Sequence, residues 1–424
     1  MTTMCKVRTY PINEKVPIHS QAFVQKLSAK LLGETALHKN ILSHEDPAKI
    51  ERMIRIFQAY EHFSKYRQPP EAKNPTDFRE IDWRARNFVK ENVIPEFAKD
   101  PMVEIVDTLD LSKQTLRVNS EFGKLNTVYV RFPHNLDWGA PINAQEAAMQ
   151  GSRPNRLDAT LQHANFVDML LASGAKVIIG YTGSKHDLMD DVDSAGHHIR
   201  RPIRPEGVYT RDPIVVAGSY GLRGNMTAKV RIPETHVVIG AHGTPQNGNL
   251  EFGDFFVVKP GKVLVTTGDR TQEAAIHEAV GIMNMASKNG KWSVDILHKI
   301  TQVPGQEFSF LHGDCVFGAI PGSTPGVFEG AYWFPAAFID PATTKAILES
   351  NYGRIIGEVT DTTRKALGAN LLWLDRTTAI LNSAAEEMGA LLEGLGKNVL
   401  RINLGEIAKG DGSGRCSSAP LNRD

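Results

Sequence analysis

Four short segments of the chain gather side chains able to do covalent or proton-transfer chemistry: VYTRDP at 208–213, LEFGD at 250–254, FLHGDCVF at 310–317 and GSGRCSSAPL at 412–421. Cys416 lies in the last, after a run of glycines and beside Arg415. Backbone amides in such a turn and a neighbouring cation would lower a thiol pKa, and the thiolate is the nucleophilic form. A small buried hydrophobe is the competing reading, and Cys416 alone does not separate the two. His312 and Asp314 are two residues apart, so on a strand they share a face. The histidine could then shuttle a proton while the aspartate binds a cation; a polar strand edge would carry the same pattern. Both residue types also bind zinc, but no CxxC or HExxH accompanies them, and no metal is expected. Cys315 points to the opposite face and reads as core.

Glu251 and Asp254 bracket Phe252-Gly253. A carboxylate beside a histidine orients it and stabilises its protonated form, although carboxylates ahead of a strand are commonly just solvated. Asp212 closes YTRDP, where an Asp often serves as a local turn cap. In one pocket with Asp314 it would instead provide two facing carboxylates. A guanidinium carries five donors that match carboxylates in bidentate fashion, whereas two carboxylates with no cation between them repel.

These segments need elements to hold them. In 1–120 the apolar residues recur at helical spacing over 20–33, 45–66 and 80–99, interrupted by the proline-containing loop RQPPEAKNPTD at 67–77. This stretch reads as a helical N-terminal region. From about 121 short apolar runs alternate with helix-like segments. Strands are expected over 128–132, 176–181, 208–217, 255–267 (a hairpin turning at KPGK), 294–300, 311–320, 355–359, 371–374 and 399–404. Helices are expected over 161–173, closed by Gly174, and over 271–286 and 382–395. The polar stretch 182–207 reads as a long surface loop. Strands and helices alternating at this spacing indicate an α/β domain over 121–424.

The chain has 424 residues, 41% hydrophobic and 23% charged, with 48 Lys+Arg balancing 48 Asp+Glu. A neutral balance argues against a broad electrostatic footprint for nucleic acid or anionic membrane, but allows a small charged ligand in a pocket. Three cysteines (Cys5, Cys315 and Cys416) are too few and odd for a disulfide framework. They fit a reducing compartment. The N-terminus lacks a signal-type apolar core and no stretch approaches a membrane span, so a cytoplasmic protein is expected.

Taken together, NSEFGKLNTVYVRFP, VYTRDP, EFGD, VTTGDRTQEAAIHEAV, FLHGDCVF and GRCSSAPLNRD resemble, in order, the guanidino-group-modifying superfamily of arginine deiminases, amidinotransferases and dimethylarginine hydrolases. The resemblance runs from about Ser120 to the C-terminus and looks most like bacterial arginine deiminase. It implies a five-bladed α/β-propeller of ββαβ-type units (the pentein type) around a central pocket. It implies Cys416 as nucleophile, His312 as general acid/base and Glu251 as the partner of His312. Asp212 and Asp314 would clamp the guanidinium, Arg231 and Arg270 would grip the substrate carboxylate, and Asp254 counts with the substrate contacts. No cofactor is implied. The implied partners are a small guanidino substrate, an amine acceptor in the amidinotransferase alternative, and a second copy in a homo-oligomer. A non-catalytic binding protein on the same fold is the third alternative. The chain departs from the family pattern at Phe252, where a glycine is usual, at Gly313, and at Glu206, where arginine deiminases place an Asn. It also lacks their helical insertion.

Overall fold

In the computed structural model the turn at KPGK forms as expected. Phe255–Lys259 pairs antiparallel with Lys262–Thr267, and Gly261 takes a φ of +77°, a left-handed conformation that glycine adopts without a side-chain clash. A helix, Glu273–Ala286, follows, and Ser293–His298 returns parallel to the second strand. The structure describes residues 47–65, 83–134, 136, 154–181, 188–192, 198–202, 207–287, 290–300 and 311–424.

The same β-β-α-β order recurs twice downstream. Phe317–Pro321, Phe328–Trp333, helix Pro341–Tyr352 and Ile355–Glu358 make one unit. Leu372–Trp373, Thr378–Asn382, helix Glu386–Gly394 and Asn398–Ile402 make the next. A fourth is assembled from the two ends of the domain. The last strand, Ala419–Arg423, pairs antiparallel with Leu125–Arg131, which continues through helix Arg156–Ala172 to the parallel strand Lys176–Gly180. Smaller pairings complete the described set: Ile214–Ala217 with Tyr220–Arg223, Leu109–Asp110 with Val238–Ile239, and Leu188–Val192 with His198–Pro202. The fold class is α/β.

Side chains alternate across these strands, and each face feeds a different core. Val128 and Val130 join the cluster that holds Leu157, Phe166 and Leu170, whereas Tyr129 joins that of Val215 and Phe255. In the 255–259 strand, Phe256 and Val258 pack with Phe317 and Trp333 while Phe255 and Val257 pack with Ile214 and Ile276. Each sheet is therefore shared between neighbouring cores, which explains why these strands read as continuous apolar runs. Helix ends follow local chemistry. Asn155 accepts from the backbone N–H of Leu157 and Asp158, and Asp340 from Ala342 and Thr343, as N-cap residues do.

The helix Pro47–Lys65 and the helical run 83–97 pack on this body. Met53, Phe57, Phe88 and Phe97 join the cluster of helix Arg156–Ala172. Arg52 donates to Asp100 (2.6 Å) and to Asp168 of that helix (3.0 Å). No helix among the described residues is long and apolar enough to cross a membrane.

Several expectations need correction. The stretch 1–120 is not wholly helical: Val103–Val106 pairs with Lys176–Gly180 and Leu109–Asp110 with Val238–Ile239. The span 208–217 is strand only from Ile214, and 311–320 only from Phe317, because turns precede both. The helix expected from 382 begins at Glu386. The loop expected over 182–207 contains a β-hairpin. The segments 20–33 and 67–77 lie outside the described residues.

The closing strand fits tightly. Arg423 is fully buried and donates to the carbonyls of Gly123 (2.8 Å) and Trp373 (2.7 Å). A Cβ on Gly123 would lie 1.9 Å from the backbone oxygen of Asp424. Gly123→Ala is therefore expected to push the closing strand off its register and cost about 1–3 kcal/mol, measured as a lower urea midpoint with unchanged slope.

Candidate active site

Five polar side chains converge at the strand ends, and each stands just ahead of the first strand of its pairing. Asp212 precedes Ile214–Ala217, Glu251 precedes Phe255–Lys259, and His312 precedes Phe317–Pro321. Asn370 precedes Leu372–Trp373, and Cys416 precedes Ala419–Arg423. The connecting backbone is stitched across segments. Arg211 N–H donates to Cys416 O (3.0 Å), Phe252 N–H to Asp212 O (3.0 Å), and Arg415 N–H to Asn370 O (3.2 Å).

His312 and Asp314 reach the site by a different route from the one expected. They are not neighbours on one strand face. His312 precedes a 3-10 turn, Gly313–Cys315, which folds Asp314 inward. Asp254 holds that turn: its Oδ1 accepts from Gly313 N–H (2.7 Å) and from Thr266 Oγ1. Asp254, expected as a substrate contact, is thus committed through that oxygen to the backbone carrying His312. Gly253 lets the imidazole close in, since a Cβ there would lie 2.6 Å from His312 Cγ and 2.8 Å from Asp212 Oδ1. Phe252 does not crowd the pocket. It is fully buried and packs edge-to-face on Phe255 at 5.6 Å.

The electrostatics centre on Glu251. Its Oε2 lies 3.0 Å from His312 Nε2 and 3.4 Å from Arg231 Nη1. Its Oε1 accepts from Thr227 N–H (3.0 Å) and faces Arg270 Nη1 at 3.5 Å. Burial opposes ionisation, but Arg270, the His312 hydrogen bond and Arg231 overcome it and hold the carboxyl well below the usual range. For His312, burial disfavours the imidazolium. Asp212, whose Oδ1 is 3.6 Å from Nδ1, together with the Glu251 hydrogen bond and Asp254, outweighs it and lifts His312 to about 9.

The thiol behaves otherwise than expected. Cys416 is 2% exposed. Burial first, then the charges of Asp314 and Asp212, push it well above the ordinary thiol value; the Asn370 hydrogen bond and Arg415 act the other way without prevailing. Its Sγ donates to Asp314 Oδ2 at 3.3 Å. Arg415 does not turn toward the sulfur. It donates to Asp314 Oδ2 (2.8 Å) and to the carbonyls of Gly253 (3.2 Å) and Phe255 (2.8 Å), with its guanidinium over the Phe256 ring. Cys315 is buried, with its Sγ 3.6 Å from Asp314 Oδ1.

Both arginines assigned to substrate binding are also drawn inward. Arg231 is 2% exposed and donates to Asp212 Oδ2 (2.9 Å) and Glu234 Oε2 (2.9 Å) besides Glu251. Arg270 is 7% exposed beside Glu251. Asp212, Glu251 and His312 offer ligand atoms close enough together for a metal ion. However, Arg231 already lays its guanidinium on both carboxylates, supplying the positive charge a metal would bring. Glu206 and Phe310 lie outside the described residues. Sequence reasoning missed Asn370. Its signal was positional, an Asn one residue ahead of the strand expected at 371–374, as the other site residues stand ahead of theirs.

No protein-family model matches the chain. The uncharacterized protein YkgA of Bacillus subtilis (strain 168) is 25% identical over 315 residues, spanning 72% of this chain and 94% of the relative. An arginine deiminase of Borreliella afzelii is 25% identical over 390 residues, spanning 79% and 92%. Among solved structures, the N-terminal domain of ArgZ, described as an arginine dihydrolase from the ornithine–ammonia cycle in cyanobacteria, superposes with a TM-score of 0.53 at 16% identity, covering 71% of this chain and 98% of that one. That likeness speaks for the α/β fold. The ordered motifs and the sequence relatives make the chain similar to the guanidino-group-modifying superfamily, and to arginine deiminases within it.

Proposed function

We propose that the protein hydrolyses the guanidino group of arginine or a related compound through a covalent adduct on Cys416, releasing ammonia and a ureido product. The observation that carries this reading is the convergence, in one buried volume, of a thiol, an acid–base histidine held by a carboxylate, and two further carboxylates. Asp212 Oδ1 has no hydrogen-bond partner among the described residues, and Asp314 Oδ1 meets only the weak Cys315 donor. These edges remain for a guanidinium although the opposite oxygens hold Arg231 and Arg415. The fold reading that accompanies it is a five-bladed propeller, with the Ile214–Ala217 and Tyr220–Arg223 hairpin contributing the fifth blade.

The steps follow from the charges. A guanidinium arriving between Asp212 and Asp314 offsets the carboxylates that disfavour the thiolate. The thiol proton passes to Asp314 and on to water, and Sγ bonds to the guanidinium carbon. Glu251 occupies His312 Nε2, so Nδ1 carries the transferable proton. That proton goes to the departing nitrogen as its bond to carbon breaks, and ammonia leaves. Neutral His312 then takes a proton from water as the water oxygen bonds to the carbon. The C–S bond breaks as the remaining hydroxyl proton passes through Asp314 to sulfur, returning the thiol and the ureido product. Interception of the adduct by an amine would make the enzyme an amidinotransferase; a product that requires an added amine marks that outcome.

Incubation with arginine, agmatine and methylated arginines, assayed for ammonia and ureido product, tests the proposal; silence across the panel with folded protein overturns it. Cys416→Ser is expected to lower turnover by on the order of a thousandfold or more. Acid quenching of the wild-type protein during turnover should trap an adduct on Cys416 whose mass identifies the donor, and an unmodified Cys416 while product forms would remove it as nucleophile. Gly253→Ala should displace the imidazole and reduce kcat by about a hundredfold, with secondary structure unchanged by circular dichroism.

The pH dependence follows from His312. Its folded value is raised from 6.5 to about 9, so its stabilising contribution is fully present below pH 6.5 and is lost as pH rises through about 9. Turnover needs the same proton and should fall over that alkaline range. Denaturant unfolding at pH 6 and pH 9.5 should show a stability loss in the wild type that His312→Gln largely lacks.

A further inference from the structure

The proposed chemistry uses four of the five converging side chains. Asn370 has no part in it, although it makes the most contacts to the nucleophile's turn. Its Oδ1 accepts two backbone N–H groups, from Ser413 (3.1 Å) and Cys416 (3.0 Å). Its own backbone carbonyl accepts Arg415 N–H. An amide oxygen receiving two donors cannot be exchanged with the NH2 group, so the orientation is determined. The NH2 must face the sulfur, and Asn370 Nδ2 lies 2.9 Å from Cys416 Sγ. An N–H aimed at sulfur interacts more strongly with the anion than with the neutral thiol.

Backbone geometry independently marks the same place. Among the described residues only two non-glycine positions have a positive φ, Leu367 at 55° and Asp411 at 64°. Leu367 stands three residues before Asn370, and Asp411 five before Cys416. Such conformations cost energy in non-glycine residues and persist where the surroundings over-determine them. Here they shape the two segments that bring the amide to the sulfur.

We propose that Asn370 is a positioning residue for the nucleophile: its carbonyl clips the 413–416 turn, and its N–H holds Cys416 Sγ in its attacking orientation and steadies the anion that forms when substrate arrives. This rests on Cys416 being the nucleophile, but not on any particular substrate. It offers a donor directed at the sulfur against the two carboxylates that face it, Asp314 and Asp212, while Arg415 acts on Asp314.

The test separates clip from donor. Asn370→Asp keeps the size and the acceptor for both backbone N–H groups, and replaces the N–H directed at sulfur with a carboxylate oxygen and its charge. Asn370→Ala loses both. The rate of Cys416 alkylation by iodoacetamide is followed by mass across pH, with Cys416→Ser as the blank and thermal unfolding as the fold control. The midpoint of the profile is expected to rise from wild type to Asn370→Ala, and further in Asn370→Asp. At neutral pH the alanine variant should be slower by about 10- to 100-fold. A wild-type profile in the folded Asn370→Asp protein, with only Asn370→Ala impaired, would reduce Asn370 to a structural clip and overturn the proposal. A reactive wild-type Cys416 with both variants unchanged would overturn it while leaving the hydrolase reading intact. A wild-type Cys416 inert at every pH would sink both.

Discussion

Charge buried away from water has to bring its own counter-charge, and the centre of this protein is built around that constraint. Glu251 is fully buried and stays ionised because Arg231, Arg270 and His312 surround it. The same carboxylate fixes His312 through Nε2, and Asp212 then keeps the imidazole protonated. Asp314 is matched by Arg415, which also faces Glu121 through Nε and donates to backbone carbonyls of the neighbouring segment. Removing one member would strand another, so these residues act as a unit. The thiol is the exception. Cys416 faces two carboxylates and is held as the neutral form until an arriving cation changes the balance.

The fold makes this possible by repetition. Each site residue stands where the chain is about to enter a strand, and short turns there can aim a side chain into the centre without breaking a hydrogen-bonded ladder. The 3-10 turn at Gly313–Cys315 and the absence of a side chain at Gly253 let His312 and Asp212 approach closely. The strand Ala419–Arg423, paired with Leu125–Arg131, brings Cys416 beside residues two hundred positions earlier, such as Arg211.

The helical segments 47–65 and 83–97 cover the outer side of helix Arg156–Ala172 through Arg52 and an aromatic cluster of Phe57, Tyr60 and Phe88. Their apolar side chains belong to the cluster that also takes in Cys416.

The sequence by itself picked out side chains that converge: Cys416, His312, Asp314, Glu251 and Asp212 were legible because thiol, imidazole and carboxylate are marked by residue type and by motif order. The hairpin at KPGK, the helix ending at Gly174 and the strand–helix alternation were legible because glycine turns and apolar periodicity are local. What the tertiary structure decided was direction. Whether an arginine faces solvent, substrate or a buried carboxylate depends on neighbours far along the chain, which is why Arg231, Arg270 and Arg415 turn inward to Glu251, Asp212 and Asp314. Thiol acidity was decided there as well. A glycine-rich turn and an adjacent Arg415 suggest activation, but burial and two facing carboxylates set the outcome. Asn370, an ordinary residue type outside any motif, gained its place only when folding set its amide against Cys416.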